Sequence, residues 1–255
     1  MLFDKTVFGP IRSRRFGASL GMNLIPAAKK ICTFDCVYCE CGWTDKPESD
    51  SFPTRKDVRE ALETKLHEML QRDEKMDTIT FAGNGEPTLH PDFSEIIDDT
   101  ITLRNQFFPN AAITVLSNST MLDKESVFEA LKRVDNNTMK LDAGTEIMYR
   151  RINRCYIKKQ TLEHITENLM RFEGNLIVQT LFLRGSYDRE KIDNTTKEEV
   201  NAWAERIQRI APRKVLLYPI DRATPAEDLE YTPKTELEKI AQKIEALGIK
   251  TAIYD

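Results

Sequence analysis

Apolar runs alternate with amphipathic stretches along the whole chain. Short apolar runs typical of buried strands occur at residues 18–25, 77–82, 112–116, 138–141, 175–183 and 214–218. Between them, apolar residues recur every three or four positions, which predicts helices. The first of these helices spans Val58 to Leu70 and follows Thr54, which with Asp57 resembles a capping box. We predict residues 175–183 as the longest strand and residues 251–254 as an edge strand.

The order of these elements predicts an α/β fold. Six consecutive strand–helix units indicate parallel strands with helices on the outer face. No linker-like stretch divides them, so we predict one domain over residues 1–255, with an N-terminal extension (1–17), core units (18–222) and a C-terminal helix and tail (223–255). Six units are fewer than the eight of a closed barrel, which favours a partial (β/α)6 barrel. A flat doubly wound sheet stays open, because one sequence does not reveal strand order.

Unusual polar residues stand just after the predicted strands. Carboxyl ends of parallel strands build the active site in such folds, so we expect these residues to converge on one pocket. Each also has a simpler interpretation as a turn or cap residue. The residues are Gly83, Gly85 and Glu86 after the second strand, Ser117 and Asn118 after the third, Asp142 after the fourth and Arg184 after the fifth.

Four cysteines follow the first predicted strand within ten residues. Cys32, Cys36 and Cys39 have the spacing C-x3-C-x2-C, and Cys41 follows two residues later. Thiolates packed this closely suit a soft metal or an iron–sulfur cluster. Disulfides are less favoured, because a chain this long builds its own core and only Cys155 lies outside the loop.

The number of ligating thiolates is open at this stage. Three thiolates hold three irons of a 4Fe-4S cube and leave the fourth iron accessible. Cys41 adds the alternatives of a closed zinc site or a fully ligated cluster. Only one residue separates it from Cys39, which leaves little room for both thiolates to bind one compact centre. We therefore interpret Cys41 as a cysteine that does not bind the metal. Cys155 is interpreted as a structural cysteine.

Composition and charge limit the partners. The chain has 255 residues, 40% of them hydrophobic, and no stretch that resembles a membrane span or a signal peptide. We therefore predict a cytoplasmic protein with no membrane partner, where thiols stay reduced. The net charge is −4, but residues 1–30 hold six basic residues and one acidic residue, and a second basic run covers residues 150–159. Two local patches on an acidic protein favour a small anionic ligand over extended nucleic acid.

The cysteine spacing, Tyr38 before the last cysteine and the Gly83–Pro87 element together resemble the radical S-adenosylmethionine (SAM) superfamily. Further motifs resemble one branch, the small iron–sulfur oxidoreductases related to archaeal wyosine-type tRNA synthases. These motifs are residues 9–17, 19–21, 85–91 and 141–144. The archaeal enzymes carry further cysteines for a second cluster, a set that Cys41 and Cys155 do not reproduce.

The resemblance implies one 4Fe-4S cluster on Cys32, Cys36 and Cys39, with S-adenosylmethionine on the open iron. An electron from the cluster would cleave the sulfonium to methionine and a 5′-deoxyadenosyl radical, which abstracts hydrogen from the substrate. Asp142 and Arg184 are catalytic candidates from their positions alone. The resemblance implies cofactor contacts at Tyr38, Gly83, Gly85, Glu86, Ser117, Asn118 and Gln179.

Three functions therefore remain open. The first is a radical enzyme acting on an unidentified substrate, with a flavodoxin or ferredoxin as reductant and a small anionic molecule among the candidate substrates. The second is the same chemistry on tRNA, and the third is a non-catalytic zinc or iron–sulfur binding module.

Overall fold

The computed structural model describes residues 2–27, 29–44 and 52–254. The helices are α1 Arg55–Gln71, α2 Phe93–Phe107, α3 Glu125–Lys132, α4 Glu146–Asn153, α5 Leu162–Met170, α6 Lys197–Ile210 and α7 Lys234–Glu245, with a 3-10 turn at Pro87–Leu89. The strands are β1 Val7–Ser13, β2 Gly17–Met22, β3 Thr78–Phe81, β4 Ala112–Ser117, β5 Asn136–Lys140, β6 Ile177–Leu181, β7 Leu183–Tyr187, β8 Glu190–Asp193, β9 Lys214–Tyr218, β10 Leu229–Tyr231 and β11 Thr251–Ile253.

The chain forms two compact units that interleave in sequence. The first consists of Met1–Cys32, Thr44–Ser117 and Met121–Asn137. The second consists of Thr33–Trp43, Asn118–Thr120 and Thr138–Asp255. No helix in the described residues is both long and apolar enough to cross a membrane.

The first unit is built on parallel strands. β2 pairs with β3 and β3 with β4 in parallel, while β1 pairs with β2 antiparallel. The predicted extension over residues 1–17 thus contains a strand that the sequence pattern did not indicate. The capping box at Thr54 is confirmed, because its side chain and that of Asp57 each accept from the other's backbone N–H at the start of α1. Leu70, at the end of the predicted apolar stripe, is exposed.

The second unit repeats the parallel pattern. β5 pairs with β6, β6 with β9 and β9 with β11, all in parallel. The predicted edge strand near the C-terminus is therefore confirmed. The core of this unit includes the buried faces of α5, α6 and α7, which carry apolar residues at helical spacing.

The prediction of one long strand over residues 175–183 was wrong. β6 has five residues, and β7 then leaves the parallel ladder to form an antiparallel sheet in the order β10-β7-β8. Side chains take over the backbone groups at this junction. Asp142 accepts from the Leu181 N–H at 3.0 Å, and Asn194 accepts from the Leu183 N–H at 2.8 Å. These long-range contacts let the chain change sheets where the apolar pattern continues unbroken.

The apolar pattern did not predict helix α4, because arginines interrupt its short apolar stripe. Met148, Tyr149 and Ile152 are buried on one face of this helix. Thr145 caps its N-terminus and Glu199 accepts hydrogen bonds from the Thr145 and Gly144 backbone. The strands that precede helices are mostly parallel in both units, which confirms the predicted α/β class.

Candidate functional site

The start of the cysteine loop is fixed against the glycine-rich element after β3. Ile31, directly before Cys32, forms a parallel bridge with Gly85. The Ile31 N–H donates to the Asn84 carbonyl at 3.1 Å, and the Glu86 N–H donates to the Ile31 carbonyl at 3.1 Å. A Cβ on Gly85 would lie 1.9 Å from the Ile31 carbonyl oxygen, so this approach requires glycine.

Gly83 is also required by close packing. A Cβ at this position would lie 2.4 Å from the Asn23 Oδ1 atom. That oxygen accepts from the Asn84 N–H at 3.0 Å. The Asn84 side chain in turn exchanges two hydrogen bonds of 2.7 Å with the Phe3 backbone. The glycine-rich element is therefore held by packing and side-chain hydrogen bonds within the first unit.

Glu86 is a buried carboxylate with a defined orientation. Its side chain is 2% exposed, and Oε1 accepts from the Thr88 hydroxyl at 2.6 Å and from the Ser117 hydroxyl at 2.8 Å. Oε1 also accepts from the Thr88 N–H, which caps the 3-10 turn at Pro87–Leu89. The structure thus brings together Glu86 and Ser117, two of the predicted cofactor residues, and also bears out the simpler interpretation of Glu86 as a cap.

In the second unit, the cysteine segment is anchored on residues 118–120. Thr33, next to Cys32 in the chain, accepts from the Asn118 amide at 2.7 Å and lies 2.6 Å from the Thr120 hydroxyl. The side-chain oxygen Oδ1 of Asn118 accepts from the Thr120 hydroxyl at 2.8 Å. The predicted residue Asn118 therefore holds the segment that carries the cysteines.

The same segment pairs with the end of α4. The Asp35 N–H donates to the Asn153 carbonyl at 2.9 Å, and the Val37 N–H donates to the Ile152 carbonyl at 3.0 Å. A turn follows, in which the Cys39 N–H donates to the Cys36 carbonyl at 3.1 Å. Cys36 is buried by this arrangement, while Cys32, Cys39 and Cys41 are half-buried.

Asp142 joins the cysteine segment to β5 and α4. One carboxylate oxygen accepts from the Asn153 amide at 2.7 Å and from the Tyr38 hydroxyl. The Lys140 ammonium donates to the Tyr38 oxygen at 2.6 Å and lies 3.6 Å from the same carboxylate. The Asn153 amide also donates to Cys36 Sγ at 3.4 Å. We call these four polar residues, Tyr38, Lys140, Asp142 and Asn153, the Asp142 network.

The protonation states of this network follow from its burial. Burial opposes the charge of Lys140, but negative neighbours, of which Asp142 is the strongest, outweigh it and raise the pKa of Lys140. Burial, followed by Asp142, raises the pKa of Tyr38, so the phenol stays protonated. Burial raises the pKa of Cys36 to about 11, and the Lys140 charge only partly offsets this. A cation is thus held beside the cysteine segment.

Sequence comparison identifies the family. Residues 29–189 match the radical SAM superfamily, and this segment contains the cysteine loop, the glycine-rich element and the Asp142 network. This protein belongs to the radical SAM superfamily. A UPF0026 protein of Methanocaldococcus jannaschii is 33% identical over 236 residues, which cover 90% of this chain and 68% of that protein. This curated relative is therefore about a third longer than the chain.

Solved radical SAM structures confirm the predicted partial-barrel fold. A radical SAM methyltransferase from Sphaerobacter thermophilus superposes with a TM-score of 0.64 at 14% identity, covering 92% of this chain and 65% of that chain. TYW1 with a bound lysine-pyruvate adduct superposes with a TM-score of 0.62 at 16% identity, covering 91% of this chain and 75% of that chain. At these identities the likeness concerns the fold alone.

The donor chemistry of this radical SAM chain fits an iron–sulfur cluster. None of the five cysteines forms a disulfide, and charge repulsion from Cys39 contributes to the raised pKa of Cys36. Within residues 2–27, 29–44 and 52–254, no three Cys, His, Asp or Glu side chains lie together as a ready-made metal site. The ligand set Cys32, Cys36 and Cys39 thus stays a prediction of the motif. Cys155 is buried and donates to the Ile157 carbonyl, as expected of a structural thiol.

The remaining predicted residues lie in different surroundings. Gln179 is buried on β6, directly opposite Lys140 of β5. Arg184 is on β7, where it forms an ion pair with Glu236 of α7 and donates to Thr195. Asp142 is thus tied to the cysteine segment, whereas Arg184 is tied to α7. Through these contacts Arg184 connects the antiparallel sheet to α7.

Sequence reasoning missed Lys140 and Asn153. Lys140 ends β5 two residues before Asp142, so the period of a strand places both side chains on one face. That signal is present in the sequence as a lysine within an apolar run. Asn153 is the last residue of the unpredicted helix α4, and its contact with Cys36 spans 117 positions. No local pattern indicates that contact.

Proposed function

We propose that this radical SAM chain uses Cys32, Cys36 and Cys39 to hold three irons of one 4Fe-4S cluster and binds S-adenosylmethionine at the fourth iron. When bound, the reduced cluster supplies the electron that cleaves S-adenosylmethionine to methionine and a 5′-deoxyadenosyl radical. The proposed hydrogen donor is an unidentified substrate, and the proposed reductant is a flavodoxin or ferredoxin. The proposed cofactor contacts are those of Tyr38, Gly83, Gly85, Glu86, Ser117, Asn118 and Gln179.

The bridge between Ile31 and Gly85 supports this proposal independently of family membership. This bridge fixes the residue before Cys32 against the element proposed to bind the amino group of S-adenosylmethionine. Two elements 54 positions apart in sequence are thus in direct backbone contact. This contact supports the proposal, because a cofactor that binds an iron of the cluster needs its own binding element next to the cluster ligands.

The buried side chains have separate tasks in this proposal. Thr88 and Ser117 orient the Glu86 carboxylate as an acceptor for an amino group. Asn153 donates to the Cys36 sulfur, which stabilises negative charge on that thiolate. The positive charge of Lys140 acts in the same direction, because it lowers the pKa of Cys36. These residues position the ligands and exclude water, which a radical reaction needs.

The tRNA alternative is less favoured by the second basic run. Arg150 forms an ion pair with Glu146 at 2.7 Å and donates to the backbone carbonyls of Cys155 and Gln160. Arg151 lies 3.5 Å from Glu190 and donates to the Lys191 carbonyl. The charges of Arg150 and Arg151 are therefore largely compensated by partners within the chain.

Metal analysis with a cleavage assay tests the proposal. Anaerobically purified and reconstituted protein is expected to contain iron and sulfide and to form 5′-deoxyadenosine from S-adenosylmethionine when dithionite is added. Glu86→Gln is expected to weaken S-adenosylmethionine binding while the iron content is kept. Protein that holds zinc without iron or sulfide, and does not cleave S-adenosylmethionine, would establish the non-catalytic module instead.

A further inference from the structure

Arg154 packs against two aromatic rings beside the cysteine segment. Its guanidinium carbon lies 4.8 Å from the Tyr187 ring centroid and 5.9 Å from the Trp43 ring centroid. The two ring centroids are 5.0 Å apart, with an interplanar angle of 39°. We call Trp43, Arg154 and Tyr187 the aromatic–arginine cluster. Its cation is held by ring faces, an arrangement that suits arginine more than lysine.

The guanidinium of this cluster lacks an anionic partner in the part of the chain that the structure describes. The Nε atoms of Arg154 and Arg151 are both buried without a hydrogen-bond acceptor, but no described carboxylate forms an ion pair with Arg154. Arg150 and Arg151, from the same helix, each contact a glutamate. A guanidinium presents a planar fork of donors that matches a carboxylate or phosphate. Of these three arginines, Arg154 is the one that forms no ion pair with a carboxylate of the described residues.

The backbone at Arg154 is also unusual. Arg154 ends α4 in the left-handed conformation, with φ 48° and ψ 43°, which a residue with a Cβ rarely adopts. Helices that end this way usually place glycine there. An arginine at this position is unfavourable for the helix end itself, and its side chain packs against Trp43 and Tyr187.

The aromatic–arginine cluster is linked to the cysteine segment through Trp43 and through the residue before Arg154. Trp43 follows Cys41 by two residues. Arg154 follows Asn153, whose amide contacts Cys36 Sγ. The cation is therefore one residue away from a direct contact to a proposed cluster ligand. A substrate group bound there would be near the proposed radical chemistry.

We propose that the aromatic–arginine cluster binds the carboxylate or phosphate group of a small substrate, an inference that rests on the proposed function. Arg154 supplies the charge and the donor fork, and the half-buried rings of Trp43 and Tyr187 exclude water around it. The class of substrate is a small anionic molecule, because the guanidinium is half-buried and packs against the faces of two rings.

Titration of the cluster-loaded protein with benzoate and with inorganic phosphate tests this proposal. The change in tryptophan fluorescence reports on Trp43, since the other tryptophan, Trp203, is buried in the core. Saturable binding of at least one probe is expected. Arg154→Gln is expected to weaken it about tenfold or more, and Arg154→Lys by less, since lysine keeps the charge but not the fork. Arg151→Gln, next to Glu190, is the matched control and is expected to bind as the wild type does.

Three outcomes would overturn the proposal. These are the absence of saturable binding by either probe, equal losses in Arg154→Gln and Arg151→Gln, and an equal loss of S-adenosylmethionine affinity in Arg154→Gln. The last result would assign the cation to the cofactor carboxylate. If Arg154→Gln loses its fold by circular dichroism, the comparison of Arg154→Lys with Arg151→Gln decides the question. Failure to load a cluster would refute the proposed function alone, because the same fluorescence titration of the protein without a cluster still measures anion binding.

Discussion

Removal of the Asp142 carboxylate is expected to destabilise the protein severely. Asp142 is 1% exposed and accepts hydrogen bonds from Leu181, Asn153 and Tyr38. It also lies 3.6 Å from the ammonium of Lys140, which is 17% exposed. Asp142→Ala therefore leaves a largely buried cation without its main counter-charge and leaves buried donors without an acceptor.

The magnitude follows from the geometry of this pair. At 3.6 Å and an effective dielectric constant of about 20, the Coulomb attraction is about 4 to 5 kcal/mol. Removal of one partner from a buried ion pair typically costs about 3 to 5 kcal/mol. We expect Asp142→Ala to lower the free energy of unfolding by at least about 3 kcal/mol. Lys140→Met in the same chain removes the stranded charge, so the double variant should be more stable than Asp142→Ala alone.

Urea unfolding followed by circular dichroism measures this difference. The matched control is Glu40→Gln, which breaks the pair between Glu40 and Arg222 at 2.7 Å, whose side chains are 47% and 70% exposed. Exposed pairs contribute up to about 1 kcal/mol, so the control should unfold close to the wild type. The reasoning is refuted if Asp142→Ala costs no more than Glu40→Gln, or if Lys140→Met adds further destabilisation.

Three further predictions concern single residues. Gly85→Ala should lower the free energy of unfolding in urea by several kcal/mol, because the new Cβ would lie 1.9 Å from a backbone carbonyl oxygen. Gly248→Ala is the control, since no atom lies within 4 Å of its Cβ, and it should lower that free energy by about 1 kcal/mol. Equal losses in the two variants would contradict this prediction. Hydrogen bonds from two arginines of α6 lower the pKa of Glu163 from 4.5 to about 2, so its stabilisation is present above about pH 4.5 and lost as the pH falls towards 2. The stability difference between wild type and Glu163→Gln should therefore shrink over that range, and a constant difference would refute the assignment. Asn153→Leu removes a donor to a proposed cluster thiolate and should lower the midpoint potential in a redox titration followed by electron paramagnetic resonance; an unchanged or raised potential would exclude that role.

Local patterns predicted those parts of the molecule that depend on neighbouring residues. The capping box at Thr54 needs only the residues up to Asp57, and the periodic strands and helices need windows of similar length. The glycine-rich element was recognised in the same way, from Gly83 and Gly85 after a strand. These features are fixed by short-range sterics and hydrogen bonding, and a single sequence displays them directly.

Contacts between distant positions were not predictable from such patterns. Tyr38 and Asp142 are 104 positions apart, and no periodicity records that the phenol and the carboxylate meet. The division of residues 175–187 into β6 and β7 depends on side chains of Asp142 and Asn194, which replace ladder hydrogen bonds. The apolar pattern shows burial there, but it does not show which partner the backbone takes.

Comparison of Cys36→Ala with Cys41→Ala tests the central claim most directly. Both thiols are in the same loop, but only Cys36 belongs to the proposed set of three ligands. After anaerobic reconstitution, Cys36→Ala should lack the cluster absorption and release no 5′-deoxyadenosine from S-adenosylmethionine, while Cys41→Ala should retain both. A loaded, active Cys36→Ala protein, or loss of the cluster in Cys41→Ala, would contradict the three-cysteine cluster.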